Sequence, residues 1–541
     1  MISCSIQNLE TAMTIVKWNP PTKTTRQEEG ILKPCRKRRK LFSFLRENRH
    51  KIFDNAFQLE LEGMYRNTGA GREPLCPAMM AMALILQGYL RLSDGDAVDL
   101  SYLDLRWQMV LGRLGATEPA FSQGALFDFR ERLIAHNMDR RLLERTAELA
   151  RSTNGFDAKK LPKTLRIAID SSPLEGAGRV EDTINLIGHA ARKVVECVAE
   201  LLGCEFETVC RKADIPILLE KSVKKALDRD WSVTREKAEA VDILARQVLS
   251  LERWIDQNLV QEAGQPPLET VIATLHKIME QDLEPDPNGK GTRISEGVAK
   301  DRQISIEDSQ MRHGRKSKSK RIDGYKRHIA TDLDSQSILA CAVTPANQPE
   351  HEALPELKAD IDAQGICFRE AHFDRGYIAS PTVDVIESEG ATILCKPWHP
   401  HNTRNEQMFT KKDFRVDLRS MTITCPGGEA QPIKLGQTIY FDADTCRRCS
   451  LRKQCTSAKV SSGRSVSIAH DEPRQEKLRR MSDTKRGRQR FRERVPVEHR
   501  LAHIGQRQGR KARYRGTRKN LFDLRRAATI QNLETTQRKA A

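Results

Sequence analysis

Six residues, Leu165-Arg166-Ile167-Ala168-Ile169-Asp170, set the frame for the rest of this chain. Apolar residues alternate and then stop at an acid followed by Ser171, Ser172 and Pro173, a pattern that predicts a buried strand delivering a carboxylate at its tip. Two later acids have surroundings that suit them to meet it. Asp374 follows a second short apolar run in His372-Phe373-Asp374-Arg375-Gly376-Tyr377, and Glu498 sits in Arg494-Val495-Pro496-Val497-Glu498-His499. Hard divalent cations need oxygen ligands, so three carboxylates from distant parts of a chain make a magnesium site if the fold gathers them. Taken singly, an acid before Ser-Ser-Pro or close to Gly-Tyr is more often a turn residue or a helix cap.

The surrounding sequences carry a resemblance. Ile169-Asp170-Ser171-Ser172-Pro173-Leu174 with Gly176-Ala177-Gly178, Met311-Arg312-His313-Gly314-Arg315-Lys316-Ser317, Asp323-Gly324-Tyr325-Lys326, Phe373-Asp374-Arg375-Gly376-Tyr377, and Tyr514-Arg515-Gly516 with Lys519-Asn520 occur in that order. Together they resemble bacterial insertion-sequence transposases of the DDE type, in the subgroup with an InsH-like N-terminal domain and a cysteine-rich insert before the last acid. The resemblance covers most of residues 50 to 535. It implies an α/β fold: a ribonuclease-H-like mixed sheet with a helical insert and a small Cys-rich β insert, preceded by an all-helical N-terminal domain. It also implies that Asp170, Asp374 and Glu498 are catalytic and hold Mg2+ or Mn2+, as two ions, for DNA cleavage and strand transfer.

Related transposases carry Tyr, two residues, Arg, three residues, Glu, six residues and Lys around the last acid. The matching positions here are Phe491, Arg494, Glu498 and Gly505. Phe491 keeps a π face for stacking on a flipped base but cannot donate a hydrogen bond. Gly505 offers no cation, and Arg507 points about 200° further round a helix. Arg494 shares a face with Glu498 if a helix over 490–506 runs through Pro496, and can then hold a DNA phosphate or simply pair with Glu498 or Glu493. Pro496 demands either a kink there or a helix that starts there.

The formal charge is +18, and Lys and Arg concentrate in residues 33–40, 311–327 and 476–526. One basic run is usually a solvated surface; three runs beside three candidate metal ligands point to a polyanionic partner. Arg312, Arg315 and Lys316, and then Arg507, Arg510, Lys511, Arg513 and Arg515 interleaved with Tyr514, form stripes that neutralise backbone phosphate and make binding salt-dependent. The expected partner is double-stranded DNA. The resemblance implies the element's terminal repeats and target DNA, and the pairing of two ends implies a homodimer or larger assembly.

The longest apolar stretch, Ala78 to Leu86, is far short of the roughly 20 residues that cross a bilayer, so no membrane partner is expected. Met1-Ile2-Ser3-Cys4 lacks the regions of a signal peptide, and a cytoplasmic protein is expected. The 13 cysteines are then reduced thiols, most of them small core residues. One group is spaced like ligands: Cys446 and Cys449, then Cys455, with Cys425 in an earlier Cys-Pro-Gly-Gly turn. Four thiolates suit a closed tetrahedral structural Zn2+, which would staple a small insert with little core.

Pattern changes divide the chain into a basic N-terminal arm over 1–45, a helical domain over 46–155, a catalytic domain over 160–182, 300–398 and 476–535, a helical insertion over 183–299, a Cys-rich β insertion over 400–475 and a tail over 536–541. The stripe Val241, Leu244, Val248, Leu251 and Ile255 predicts an amphipathic helix in the helical insertion, as core or as a dimer seam. Three functions remain open on the residues: a DNA transposase, a metal-dependent DNA nuclease without strand transfer, and a DNA-binding relic whose chemistry has lapsed, the last suggested by Phe491 and Gly505.

Overall fold

The computed structural model describes residues 17–65, 74–152, 163–287, 291–316, 319–398 and 408–540. The start of the expected arm (1–16), the signal-peptide reading at Met1 to Cys4, Ser317 of the basic motif, the margins 153–155, 160–162 and 400–407, and Ala541 lie outside the described residues.

The chain opens with helices: α1 (Arg26–Arg38), α2 (Lys40–Ile52), α3 (Asn55–Glu62), α4 (Pro77–Leu90), α5 (Asp94–Leu103), α6 (Leu105–Leu111), α7 (Gln123–Ala135) and α8 (Met138–Ser152). Side-chain caps fix several of their starts. Thr25 and Glu28 form a capping box on α1, Ser93 and Asp96 another on α5, and Ser122 accepts the Ala125 N–H on α7, the cap its sequence predicts. α4 is apolar all round because it is buried on nearly every side, at the centre of one core with Phe42, Trp107 and Phe129. The basic run at Arg36 to Lys40 is not an extended arm: it ends α1 and starts α2. Leu32 and Cys35 are buried there, and Arg46 pairs with Glu28 at 2.7 Å.

Then comes β1 (Thr164–Glu175), followed by α9 (Thr183–Leu202), α10 (Phe206–Lys212), α11 (Val223–Leu227), α12 (Thr234–Asn258) and α13 (Leu268–Asp282). These helices enclose a core of their own that absorbs Val241, Leu244, Val248, Leu251 and Ile255, so the α12 stripe is core rather than a dimer seam. A short hairpin, β2 (Leu283–Pro285) with β3 (Thr292–Ile294), closes the insertion.

The sheet is completed by β4 (Arg312–Arg315), β5 (Arg321–Asp332), β6 (Ile338–Pro345), β7 (Cys367–Phe373) and β8 (Thr392–Cys395), with α14 (Leu354–Asp362) before β7 and α15 (Thr382–Ser388) after it. β4 and β6 share one edge of β5. Across the sheet β5 is antiparallel to β1, β1 parallel to β7, and β7 parallel to β8. Ile167 and Ile169 face one core under α14 and α15, while Ala168 faces another, the period-2 alternation that the sequence predicts.

One expectation fails here: Asp170 is not at a strand tip. Parallel pairing with β7 stops at Ala168↔His372, but antiparallel pairing with β5 continues to Glu175↔Gly324, so the strand runs on through Ser-Ser-Pro with one edge open. Such one-sided stretches tolerate a proline.

A small β-rich unit follows, with β9 (Arg415–Asp417), β10 (Thr422–Thr424), β11 (Ala430–Pro432), β12 (Thr438–Tyr440), α16 (Ala443–Arg448), α17 (Arg452–Cys455) and β13 (Ser465–Ser467) around Phe414, Ile423, Phe441 and Val466. The chain ends in α18 (Glu472–Asp483), α19 (Lys485–Arg492), α20 (Val495–Gln508) and α21 (Thr517–Ala540). Of the two arrangements that Pro496 allows, the chain takes the second: it restarts after Glu493 and Arg494, with Pro496 in the first turn of α20, so 490–506 is not one continuous helix. α21 ties the sheet to the N-terminal helices, since Arg525 pairs with Asp139 on α8 at 3.2 Å and with Asp360 on α14 at 2.8 Å. The fold is thus mixed α/β with a helical N-terminal region. No helix among the described residues is long and apolar enough to cross a membrane.

Candidate active site

The three acids of the sequence reading meet in one cleft. Asp170 projects from β1 just past its last pair with β7, Asp374 directly follows β7, and Glu498 lies in the first turn of α20. Val497, Leu501 and Ile504 recur at helical spacing and are buried against the sheet, so α20 lies over it with Glu498 turned to solvent. The helix N-terminus favours a carboxylate there.

A single guanidinium joins the trio. Arg494 Nη1 is 3.3 Å from Asp170 Oδ2, and Nη2 is 3.7 Å from Asp374 Oδ1 and 3.2 Å from Glu498 Oε1. Side-chain exposure rises from 15% at Asp170 to 46% at Asp374 and 51% at Glu498, so the acids line the cleft from its floor to its mouth. The cleft volume is about 910 Å³. Burial pushes the Asp170 carboxyl up to about 6; the Ser171 N–H and Arg494 pull it down, and Asp374 and Glu498 push it further up. The donor set is all oxygen around a point where positive charge already sits, which fits a hard divalent cation.

Sequence reading missed a fourth acid. Glu350, in the turn after β6, lines the same cleft and accepts a hydrogen bond from Ser171 Oγ. A Cβ on Gly376 would come within 2.0 Å of Glu350 Oε2, so the glycine of the Asp374 motif makes room for this carboxylate. Behind it Tyr377 Oη is 2.6 Å from His328 Nδ1, and His328 Nε2 is 2.9 Å from Thr344 Oγ1. Complete burial pushes His328 down to about 3 and keeps it neutral. The signal in the sequence was an acid shortly after a strand, as at Asp374, but it reads equally well as the start of a helix.

The basic candidates separate. Arg315, Lys316 and Arg510 are exposed on the cleft walls. Lys511 and Arg513 are exposed beyond it, and Arg515 is exposed with Glu307 3.2 Å away. Three expectations are corrected. Arg312 is buried, 2.7 Å from Asp301, and its Nη1 donates to the Ser309 and Met311 carbonyls, so it holds local structure rather than DNA. Arg507 pairs with Glu534 at 2.7 Å and lies over the Tyr89 ring, where it braces α20. Phe491 is 5% exposed inside the core under α18 and α19, and has no free face for a base.

Cys425, Cys446, Cys449 and Cys455 line one cavity of about 300 Å³ in the β-rich unit, all as free thiols. The Glu429 N–H donates to Cys425 Sγ at 3.3 Å and the Arg464 N–H to Cys446 Sγ at 3.5 Å, bonds that suit thiolates. Burial pushes the Cys455 thiol up, Arg464 pulls it down, and the other three cysteines push it further up. Another trio, Glu370, His372 and Glu493, has ligand atoms within 4.8 Å of one another. Its positive charge is already supplied: Glu370 takes Arg166 at 3.1 Å and Arg490 at 2.9 Å, and Glu493 takes Arg166. These pairs form an ion-pair network fastening the α19–α20 junction to β1 and β7.

Two family models match the chain. One, described as a transposase DDE domain, covers residues 424–536, which hold the four cysteines, Arg494 and Glu498; the other, described as a transposase domain (DUF772), covers residues 34–132 in the N-terminal helices. Together the two matches support an insertion-sequence DDE transposase. No curated protein and no solved structure matches it. The chain therefore carries one transposase signature on its N-terminal helices and the other on the segment that closes its cleft.

Proposed function

We propose that the cleft is the site at which this transposase cuts the DNA ends of its insertion sequence and joins them to target DNA. The observation that carries this reading is the convergence of Asp170, Asp374 and Glu498 on one guanidinium in a cleft walled by Arg315, Lys316 and Arg510. The strand order β6-β5-β1-β7-β8, with β5 alone antiparallel to both neighbours, supports a ribonuclease-H-like sheet split by the helical insertion and the Cys-rich unit.

Asp170, Asp374 and Glu498 are the residues that would hold Mg2+ or Mn2+, and two such ions supply activation of the attacking oxygen and stabilisation of the leaving one. The rest is work for the chain. β1 and β7 hold Asp170 and Asp374 on rigid strands, and the Arg166 network fixes the height of α20 and hence of Glu498. Arg494, once its carboxylates take another cation, is free to turn to a backbone phosphate. In the first step water forms a P–O bond as the bond from that phosphorus to the element's 3′ oxygen breaks, and that oxygen leaves as a 3′ hydroxyl; in the second the 3′ hydroxyl forms a P–O bond to a target phosphorus as the bond to the target's own 3′ oxygen breaks, and the proton passes to that leaving oxygen. Double-stranded DNA is the substrate, and two ends held together call for a homodimer or larger assembly. The four cysteines are the residues that would hold a structural Zn2+, which would shape the insert and take no part in the reaction.

The test is Asp170→Ala. It abolishes magnesium-dependent cleavage of element-end DNA and leaves binding to that DNA within about twofold, because the basic walls are untouched. Normal cleavage by this variant would remove Asp170 from the site.

A further inference from the structure

We infer that Arg327 forms a phosphate subsite of the cleft, offering Nη2 to a non-bridging oxygen of the DNA backbone in the space above Gly505. This rests on the reading of the cleft as a DNA site and adds to it Arg327, the last residue of the basic run 311–327 but not one of the DNA contacts expected from it.

Arg327 lies on β5 opposite Ser172 of β1, two residues along from Asp170, and both Arg327 and Gly505 line the cleft. It is 4% exposed, yet every partner it has is neutral. Nε donates to Ser172 Oγ at 2.8 Å, and Nη1 donates to Gln508 Oε1 at 2.9 Å and to the Gly509 carbonyl at 3.0 Å. No ion pair joins it to a carboxylate among the described residues. Asp523, whose field reaches it, is already paired with Arg526 at 2.6 Å. A buried cation without a counter-ion is costly, and such a site is completed by an anion.

Geometry says where the anion goes. The bonds from Nε and Nη1 fix the plane of the fork, leaving Nη2 without a hydrogen-bond partner among the described residues. A Cβ built on Gly505 would lie 3.2 Å from that Nη2 and within 4 Å of nothing else, so the space above the glycine is open and Nη2 is its border. Any side chain at 505 would enter this space. Burial pushes Arg327 down to about 10, which leaves it charged at neutral pH. A guanidinium with one edge clamped and one nitrogen presented is preorganised for a phosphate oxygen. The anion is a backbone phosphate rather than a free carboxylate because the neighbouring exposed cations Arg315, Lys316 and Arg510 run along the same cleft as a track for a polyanion.

The experiment uses the full chain and element-end duplexes in which single phosphates are replaced by neutral methylphosphonates. In the wild type, one position weakens binding by about tenfold. Arg327→Gln weakens binding to unmodified DNA by the same factor, lowers the log–log salt slope by about 0.9, and is indifferent to the methylphosphonate at that position. Arg327→Gln with Gly505→Lys regains the slope, because the lysine enters the same space. Should Arg327→Gln fail to fold, Gly505→Glu keeps the clamp and places a carboxylate against Nη2; it loses the same affinity and the same slope. A folded Arg327→Gln with unchanged slope and unchanged sensitivity to every methylphosphonate would make Arg327 a structural clamp and overturn the subsite, while wild-type binding and cleavage stand. Absence of end binding in the wild type would overturn the underlying reading and the subsite with it.

Discussion

Arg494 and Glu498 stand one helical turn apart at the opening of α20, Nη2 3.2 Å from Oε1, and the same guanidinium reaches Asp170 and Asp374. The protein thus carries an internal cation among its three acids. A divalent ion binding those carboxylates has to displace it.

Removing this competitor strengthens metal binding. Arg494→Ala is expected to raise Mn2+ affinity by roughly tenfold, since a like charge within about 4 Å costs more than 1 kcal/mol at the effective dielectric of a protein surface. Under the proposed function cleavage slows at the same time, because the variant lacks the guanidinium proposed to turn to the DNA. Calorimetric titration with Mn2+ reads the first effect and single-turnover cleavage the second. A fall in Mn2+ affinity would mean that Arg494 orders the ligands rather than competing for them.

Asp170 gives the metal-free protein a pH signature. Its folded carboxyl is pushed up to about 6 from an ordinary 3.8, so the folded chain holds a proton that the unfolded chain releases. Stability from this group is full below the unfolded value and is lost as pH rises from about 4 through about 6, a loss of at most about 3 kcal/mol. Asp170→Asn removes the loss. In chelator, urea unfolding should find the variant more stable than wild type at pH 7.5 by about 1–3 kcal/mol, with the gap closing toward pH 4. A constant gap across that range would contradict the burial-driven shift.

His328 acts in the opposite sense. It is pushed down to about 3 by burial, so below the ordinary value of 6.5 the unfolded chain takes up a proton that the folded chain refuses, and stability falls as pH drops. His328→Gln, which keeps a bonding group for Tyr377 or Thr344, is expected to unfold with a shallower acid limb than wild type between pH 6 and pH 4. Equal slopes in parallel thermal melts would show that other groups dominate acid unfolding.

The cysteine cavity predicts metal content. Purified protein should carry about one zinc per chain by elemental analysis, and Cys449→Ser should lose it. Limited proteolysis of that variant should then cut within residues 408–470 while the sheet persists, because the unit's own core is small: Phe414, Ile423, Ile433, Phe441, Val466 and Ile468. Zinc-free wild type with an equally resistant insert would show that this core suffices.

Much of this site is legible in the sequence because its acids sit where patterns break. Alternation ending at Asp170, an apolar run ending before Asp374 and a proline just before Glu498 are all local signals. What local pattern cannot show is pairing. Ser171-Ser172-Pro173 reads as a turn, and only the one-sided ladder with β5 makes it strand. Arg312 and Phe491 have the composition of DNA contacts, but Asp301 and the core beside Leu478 claim them. Glu350 and Arg327 were missed for the complementary reason: each acquires its role from a glycine far away in sequence, Gly376 and Gly505, whose missing side chain leaves the space. Gly505, which in the sequence looks like a lost phosphate contact, is in the structure the opening that Arg327 borders.

The central claim is that these three acids run both cleavage and joining of DNA. The most direct measurement incubates wild type and Glu498→Ala with labelled DNA carrying the ends of the protein's own element, a target plasmid and Mg2+ or Mn2+, and resolves the products. Cleaved ends and end–target joints from the wild type, with both lost in the variant, are the expected result. Joints that persist in Glu498→Ala would show that another acid completes the site, and cleavage without joints in the wild type would make the protein a nuclease rather than an active transposase.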